Sequence, residues 1–116
     1  MTITYLDVIR AAKSLKAIAS REDIPFAAGY VLAKNIVAID RAITDYAQKK
    51  NALDREHLTD GEPPAIKSGN EEDYLKGITE LNSTKIDIVI EKIPAKALGN
   101  AHVPPILILP IMFMLE

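Results

Sequence analysis

Residues 32–53 read LAKNIVAIDRAITDYAQKKNAL, and their spacing decides the fold. Leu32, Ile36, Ile39, Ile43, Tyr46 and Leu53 recur at alternating steps of four and three, with Lys50 filling the one polar register. That is the period of a helix with a narrow apolar seam, which packs on a neighbouring antiparallel helix or on a second copy of the chain. Gly29 and Ala33 thin the adjacent surface.

Toward the amino terminus, Arg21 to Pro25 interrupts the pattern, with Asp23 as a possible cap and Pro25 acceptable in a first helical turn. Before it, Thr4 reads as an N-cap and Asp7 complements the positive helix end. A first helix over about Tyr5 to Ser20 carries the stripe Leu6 or Val8, Ile9, Ala12, Leu15 and Ile18 or Ala19. The short connection makes the two helices an αα-hairpin.

Toward the carboxyl terminus, Thr59 to Asn70 collects Gly61, Pro63, Pro64, Ser68 and Gly69, so residues 59–70 form an exposed loop. Asn70 can cap a third, shorter helix through Leu81. Glu71, Glu72 and Asp73 suit its dipole, and Tyr74, Leu75, Ile78 and Leu81 form its inner face, although Gly77 weakens it. From Thr84 to Ile93 the period shortens to two. Ile86, Ile88 and Ile90 share one face of a half-buried strand, opposite Lys85, Asp87, Val89 and Glu91. Its partner must come from Ala101 to Leu109 or from another subunit. Pro94 ends the strand, and Lys96 to Val103, with Gly99 and Asn100, is a turn-rich connection. The ending, Pro105-Ile-Leu-Ile-Leu-Pro-Ile-Met-Phe-Met-Leu115, reads as a terminal helix kinked at Pro110, with a strand over Ile106 to Leu109 as the alternative.

At 116 residues the chain is one domain, 1–116. Hydrophobic residues at 48% and charged residues at 26% are ordinary globular usage, so a core can form. Fourteen Lys and Arg against sixteen Asp and Glu are intermixed, which argues against a dedicated nucleic-acid surface while leaving room for a small anion. The chain has no cysteine, so disulfides and thiolate metal sites are impossible, in keeping with a reducing compartment. Met1 to Arg10 lacks the charged and apolar regions of a signal peptide. The longest apolar run, Pro104 to Leu115, is about half of the roughly 20 residues that span a bilayer, so no membrane association is expected.

Chemistry-bearing residues do not assemble into a motif. His57 with Asp54 or Asp60 matches no metal-ligand spacing, and His102 is remote. Glu71, Glu72 and Asp73 are better read as dipole complements than as a catalytic pair. Ser14, Ser20, Ser68 and Ser83 lie in no nucleophile elbow, and no phosphate-binding glycine loop is present. Tyr5, Phe26, Tyr30, Tyr46, Tyr74 and Phe113 are read as core and not as a base-stacking platform. Two features stand out: the seam of the second helix and the terminal block Ile106 to Leu115, whose apolarity exceeds what one helix face buries.

The order of signals resembles a family of small phage and prophage proteins of unknown function. The resemblance rests on Asp7-Val-Ile-Arg, Ile24-Pro-Phe, Ala33-Lys-Asn-Ile-Val-Ala-Ile, Leu81-Asn-Ser-Thr-Lys-Ile-Asp-Ile-Val-Ile and Met112-Phe-Met-Leu-Glu116. It covers most of the chain outside residues 59–70. It implies a regular terminal helix, from which Pro110 departs, and an origin inside an infected bacterium or its particles. No catalytic residue comes with it.

The expectation is therefore an α+β, mainly helical fold with an N-terminal αα-hairpin, a third short helix, one or two β-strands and an apolar terminal segment. The expected function is that of a non-enzymatic, phage-encoded binding protein. It would modulate or inhibit a host protein, such as part of a bacterial defence system, in the host cytoplasm. Alternatives are a virion structural or assembly protein and an oligomeric sponge for a nucleotide signal. No cofactor is expected, a homo-oligomer is, and the residues expected at a partner or oligomer interface are Leu32, Ile36, Ile39, Ile43, Ile106, Ile108 and Phe113.

Overall fold

The computed structural model describes residues 1–98 and 101–116; the turn expected at Gly99 and Asn100 lies outside the described residues. The elements are β1 (Thr2–Thr4), α1 (Tyr5–Ala19), α2 (Phe26–His57), α3 (Glu71–Asn82), β2 (Lys85–Asp87) and α4 (Pro105–Ile108). A 3-10 segment at Ala95–Leu98 precedes α4 and another at Leu109–Met114 follows it. The chain is thus mainly helical α+β, as its sequence predicts.

Thr4 starts α1 through a full capping box. The Asp7 N–H donates to Thr4 Oγ1 and the Thr4 N–H donates to the Asp7 carboxylate, both at 3.2 Å. The buried face of α1 is Tyr5, Val8, Ala11, Ala12, Leu15 and Ile18, with Ser14 beside it. Ile9 is only half-buried and Ala19 is exposed, so the stripe is rotated slightly from the expected one. Asp23 does not cap α2. It accepts two hydrogen bonds from Arg21, at 2.9 and 2.7 Å, and Pro25 occupies the N-cap position.

Length dictates the next level. At about 1.5 Å per residue, α2 is about 48 Å long and α1 only about 22 Å, so the hairpin partner covers half of α2. The molecule measures 53 × 28 × 21 Å. The far half of α2 is covered by α3 instead. Its approach explains Gly77, because a Cβ there would lie 2.8 Å from Leu53 Cδ1. Tyr74, Gly77, Ile78 and Leu81 therefore turn inward, while Leu75, expected inside, is 60% exposed. Gly69, at φ +84, supplies the left-handed residue that turns the chain into α3. Asn70 holds the N-cap position, but its side chain is drawn to His57 instead of the helix end.

The strand that pairs with β2 does not come from Ala101 to Leu109. It is β1, antiparallel, with Thr2 opposite Asp87, Ile3 opposite Ile86 and Thr4 opposite Lys85. The pairing continues one step, as Met1 and Ile88 exchange two main-chain hydrogen bonds at 3.2 and 2.9 Å. The expected alternation persists: Ile88 is buried, Ile86 and Ile90 are half-buried, and Lys85, Asp87, Val89 and Glu91 face water.

Residues 59–70 lie between α2 and α3, exposed except at Ile66 and Asn70. The base of this segment is pinned by Thr59 N–H to Ala65 O and Lys67 N–H to His57 O, both 2.8 Å. The terminal segment is helical, one α turn tightening into a 3-10 turn at Leu109, immediately before Pro110. Ile111 and Met114 seal the core from this side, and Ile93 bridges to Leu115. The core joins Val8, Leu15 and Ile18 of α1, Leu32 and Ile39 of α2, and Ile88, Ile93, Ile111 and Met114.

Candidate binding surface

The inner side of α2 is committed to the fold. Leu32 and Ile39 are fully buried within this one chain, and Ile36 and Ile43 pack against the same cluster. The seam that could have been an intermolecular contact is therefore filled by the chain's own α1, β2 and terminal segment. Phe113 also packs on the core, Ile108 is half-buried, and Ile106 is 74% exposed. Of the seven expected interface residues, only Ile106 stands fully on the surface.

The opposite side of α2 carries a second apolar stripe. Phe26 (87% exposed), Tyr30 and Val37 fall at helical spacing on one outward face. The rings of Phe26 and Tyr30 stack with centroids 6.4 Å apart. Lys34 Nζ sits 4.4 Å from the Tyr30 ring centre while holding Glu91 at 3.2 Å. The hydrogen bond to Glu91 holds the Lys34 ammonium above its ordinary pKa, with a smaller contribution from the Tyr30 phenol group. Sequence reading assigned Phe26 and Tyr30 to the core. The signal that identifies them is their spacing on the side of α2 away from the seam.

A trough runs beside this stripe, between α2 and the extended chain 86–91. One part, about 360 Å³, is lined by Ala38, Arg41, Ala42, Asp45, Ile86, Asp87, Ile88 and Val89. It continues past Val89, which is 90% exposed, to Lys34, Asn35 and Glu91. Asn35 closes that end. Its buried amide donates to Glu91 O at 2.9 Å and accepts from Glu91 N–H at 2.8 Å, occupying the place of a neighbouring strand residue. At the other end Asp45 accepts from the buried Tyr5 hydroxyl and pairs with Lys49 at 3.4 Å. These contacts, the Tyr5 bond foremost, hold the Asp45 carboxyl below its ordinary range.

A separate groove of about 390 Å³ lies between α1 and the terminal segment, lined by Arg10, Lys13, Ser14, Ala17, Ile106, Leu107 and Pro110. Leu109 and Met112 are exposed on the outer side of the same terminal segment.

Several titratable residues are tied into structural pairs. His57 Nδ1 meets Asn70 Oδ1 at 2.8 Å, and the ring stands edge-on to Tyr74 at 6.0 Å. Tyr74 donates to Asp54 at 2.7 Å, which raises the phenol's pKa, and Lys50 reaches the same carboxylate at 3.2 Å. Glu71, Glu72 and Asp73 lie exposed in the first turn of α3, as dipole complements do. Asp23 is pulled down to about 2 by the Arg21 guanidinium. Among the described residues no three His, Asp or Glu side chains are arranged to hold a metal ion, and no helix is long and apolar enough to cross a membrane. Comparison with known proteins leaves the surface to speak for itself: no family model, curated protein or solved structure matches this chain.

Proposed function

We propose that this chain is a non-enzymatic binding protein of phage origin that acts in the bacterial cytoplasm by occupying a host protein, with the outer face of α2 as its contact surface. One observation carries the reading: Phe26, Tyr30 and Val37 stand exposed in line on a helix whose other side already fills the core. An exposed, stacked aromatic pair costs solvation without stabilising the fold, and aromatic anchors of this kind concentrate binding energy when a partner covers them. A component of a bacterial defence system is the partner class that a phage origin favours.

The test is an affinity pull-down with the full chain from infected cells, analysed for proteins and small molecules together. One host protein at fixed stoichiometry, lost with Phe26→Asp, is the expected result. Incorporation into purified particles would replace this reading with a virion assembly role, and a nucleotide released on heating would replace it with a signal sponge.

A further inference from the structure

The ladder between β1 and β2 fixes which main-chain groups are used. Met1 with Ile88, and Tyr5 with Thr84 (3.2 Å), are hydrogen-bonded positions. By the alternation of an antiparallel pair, Thr84, Ile86 and Ile88 point their N–H and C=O groups at β1, and Lys85, Asp87 and Val89 point theirs away. Among the described residues no main-chain group bonds to that outer edge at 85, 87 or 89. Two residues further along the same alternation, the Glu91 N–H and C=O are both satisfied by the Asn35 amide. The edge is thus completed at 91 and open from 85 to 89, and the open part borders the trough.

The trough's dimensions and charges narrow what could complete it. Its floor on the α2 side is two methyl groups, Ala38 and Ala42, which leave room for inserted side chains. Spanning Lys34 to Asp45 along α2, it is about 16 Å long, matching five extended residues. Two of its carboxylates are paired with cations, Asp45 with Lys49 and Glu91 with Lys34, while Asp87 accepts only the Thr2 hydroxyl at 2.7 Å and keeps its charge. Among the described residues neither Arg41 nor Lys85 has an ion pair or side-chain hydrogen bond. At the open edge, among the described residues, two unpaired cations, Arg41 and Lys85, face one unpaired carboxylate, Asp87, so the net unspent charge is positive.

We infer that the trough between β2 and α2 takes an extended acidic segment of a partner protein, added to β2 as a third strand. The segment would bond main chain to main chain with Lys85, Asp87 and Val89, place alternate aliphatic side chains over Ala38 and Ala42, and set a carboxylate against Arg41. Without such a segment, Lys85 and Asp87 act as the charged residues that keep a bare edge from pairing indiscriminately. The inference rests on the protein-binding reading above and names the chemistry of the partner's docking element.

A displayed library of random dodecapeptides, selected on the full-length chain, tests it. The expected winners alternate aliphatic residues with Asp or Glu, and they shift the amide resonances of Lys85, Asp87 and Val89 in the isotope-labelled protein. Arg41→Glu should weaken them about tenfold, and Ala42→Leu, which fills the trough, should abolish the shifts while melting as the parent does. Neutral or basic winners, winners that leave those three amides unmoved, or no winners at all overturn the inference. So do shifts of the same amides with protein concentration alone, which would assign the edge to a second copy. Failure here together with a host protein captured through Phe26 removes only the trough. Trough binding without a captured host protein removes the host-occupation reading and leaves the acidic-strand site.

Discussion

The two halves of α2 are held by different physics. Residues 26–44 contribute Ala28, Leu32, Asn35 and Ile39 to the buried interior and are flanked by α1, the extended chain 86–93 and the terminal segment. Residues 45–57 bury only His57 and are fastened by directional bonds: Tyr46 to Asn82 at 2.8 Å, Tyr74 and Lys50 to Asp54, His57 to Asn70. Apolar burial scales with area and is cooperative, whereas each exchanged hydrogen bond nets only about 1 kcal/mol. The α3 end should therefore open locally before the α1 end unfolds, and amide exchange should be faster in 45–82 than in 5–39.

That contrast can be broken in graded steps. Leu32→Ala removes a fully buried side chain from the apolar half and should cost about 3 kcal/mol, read as a shifted denaturant midpoint for the whole molecule. Asn35→Ala leaves the Glu91 N–H and C=O without their partner and should cost about 2 kcal/mol, with resonances near Glu91 moving most. Gly77→Ala drives a methyl into the end of the Leu53 side chain, a clash partly offset by the helix propensity gained, and should leave a net loss of about 1 kcal/mol, raising exchange in α3 while sparing α1. Leu53→Ala in the same chain should recover part of that loss, a coupling measurable as a double-mutant cycle.

The smallest effect concerns Tyr74. Its hydroxyl donates to Asp54, and that bond, with burial behind it, raises the phenol's pKa above its unfolded value. The stabilisation is fully present below the unfolded value of about 10 and is lost as pH rises through the folded one. Tyr74→Phe should cost about 1 kcal/mol at neutral pH and flatten the alkaline end of the stability profile; an unchanged alkaline slope would show that the bond adds nothing.

What the sequence revealed was local. Thr4 with Asp7, the four-and-three seam of α2, and the glycines and prolines of 59–70 each act within a few residues, so periodicity and cap chemistry expose them. What it concealed was long-range. Nothing in Thr2–Thr4 marks it as the partner of Lys85–Asp87, and Asn35 reads as an ordinary helix residue until its amide is seen beside Glu91. At the surface, the seam was visible but turned out to be interior. The stripe of Phe26, Tyr30 and Val37 was hidden because aromatic residues are ordinarily assigned inward. Pro110 marked the terminal irregularity, while the tightening into a 3-10 turn depends on how Ile111 and Met114 dock on the core.

The central claim is that α2 folds the chain with one side and binds a partner with the other. The most direct measurement pairs the melting temperature of Phe26→Asp with its capture of protein from infected cells. The account predicts a melting temperature within about 2 °C of the parent, because Phe26 is 87% exposed, together with loss of the captured host protein. A large fall in melting temperature, or an undiminished complex, would contradict it.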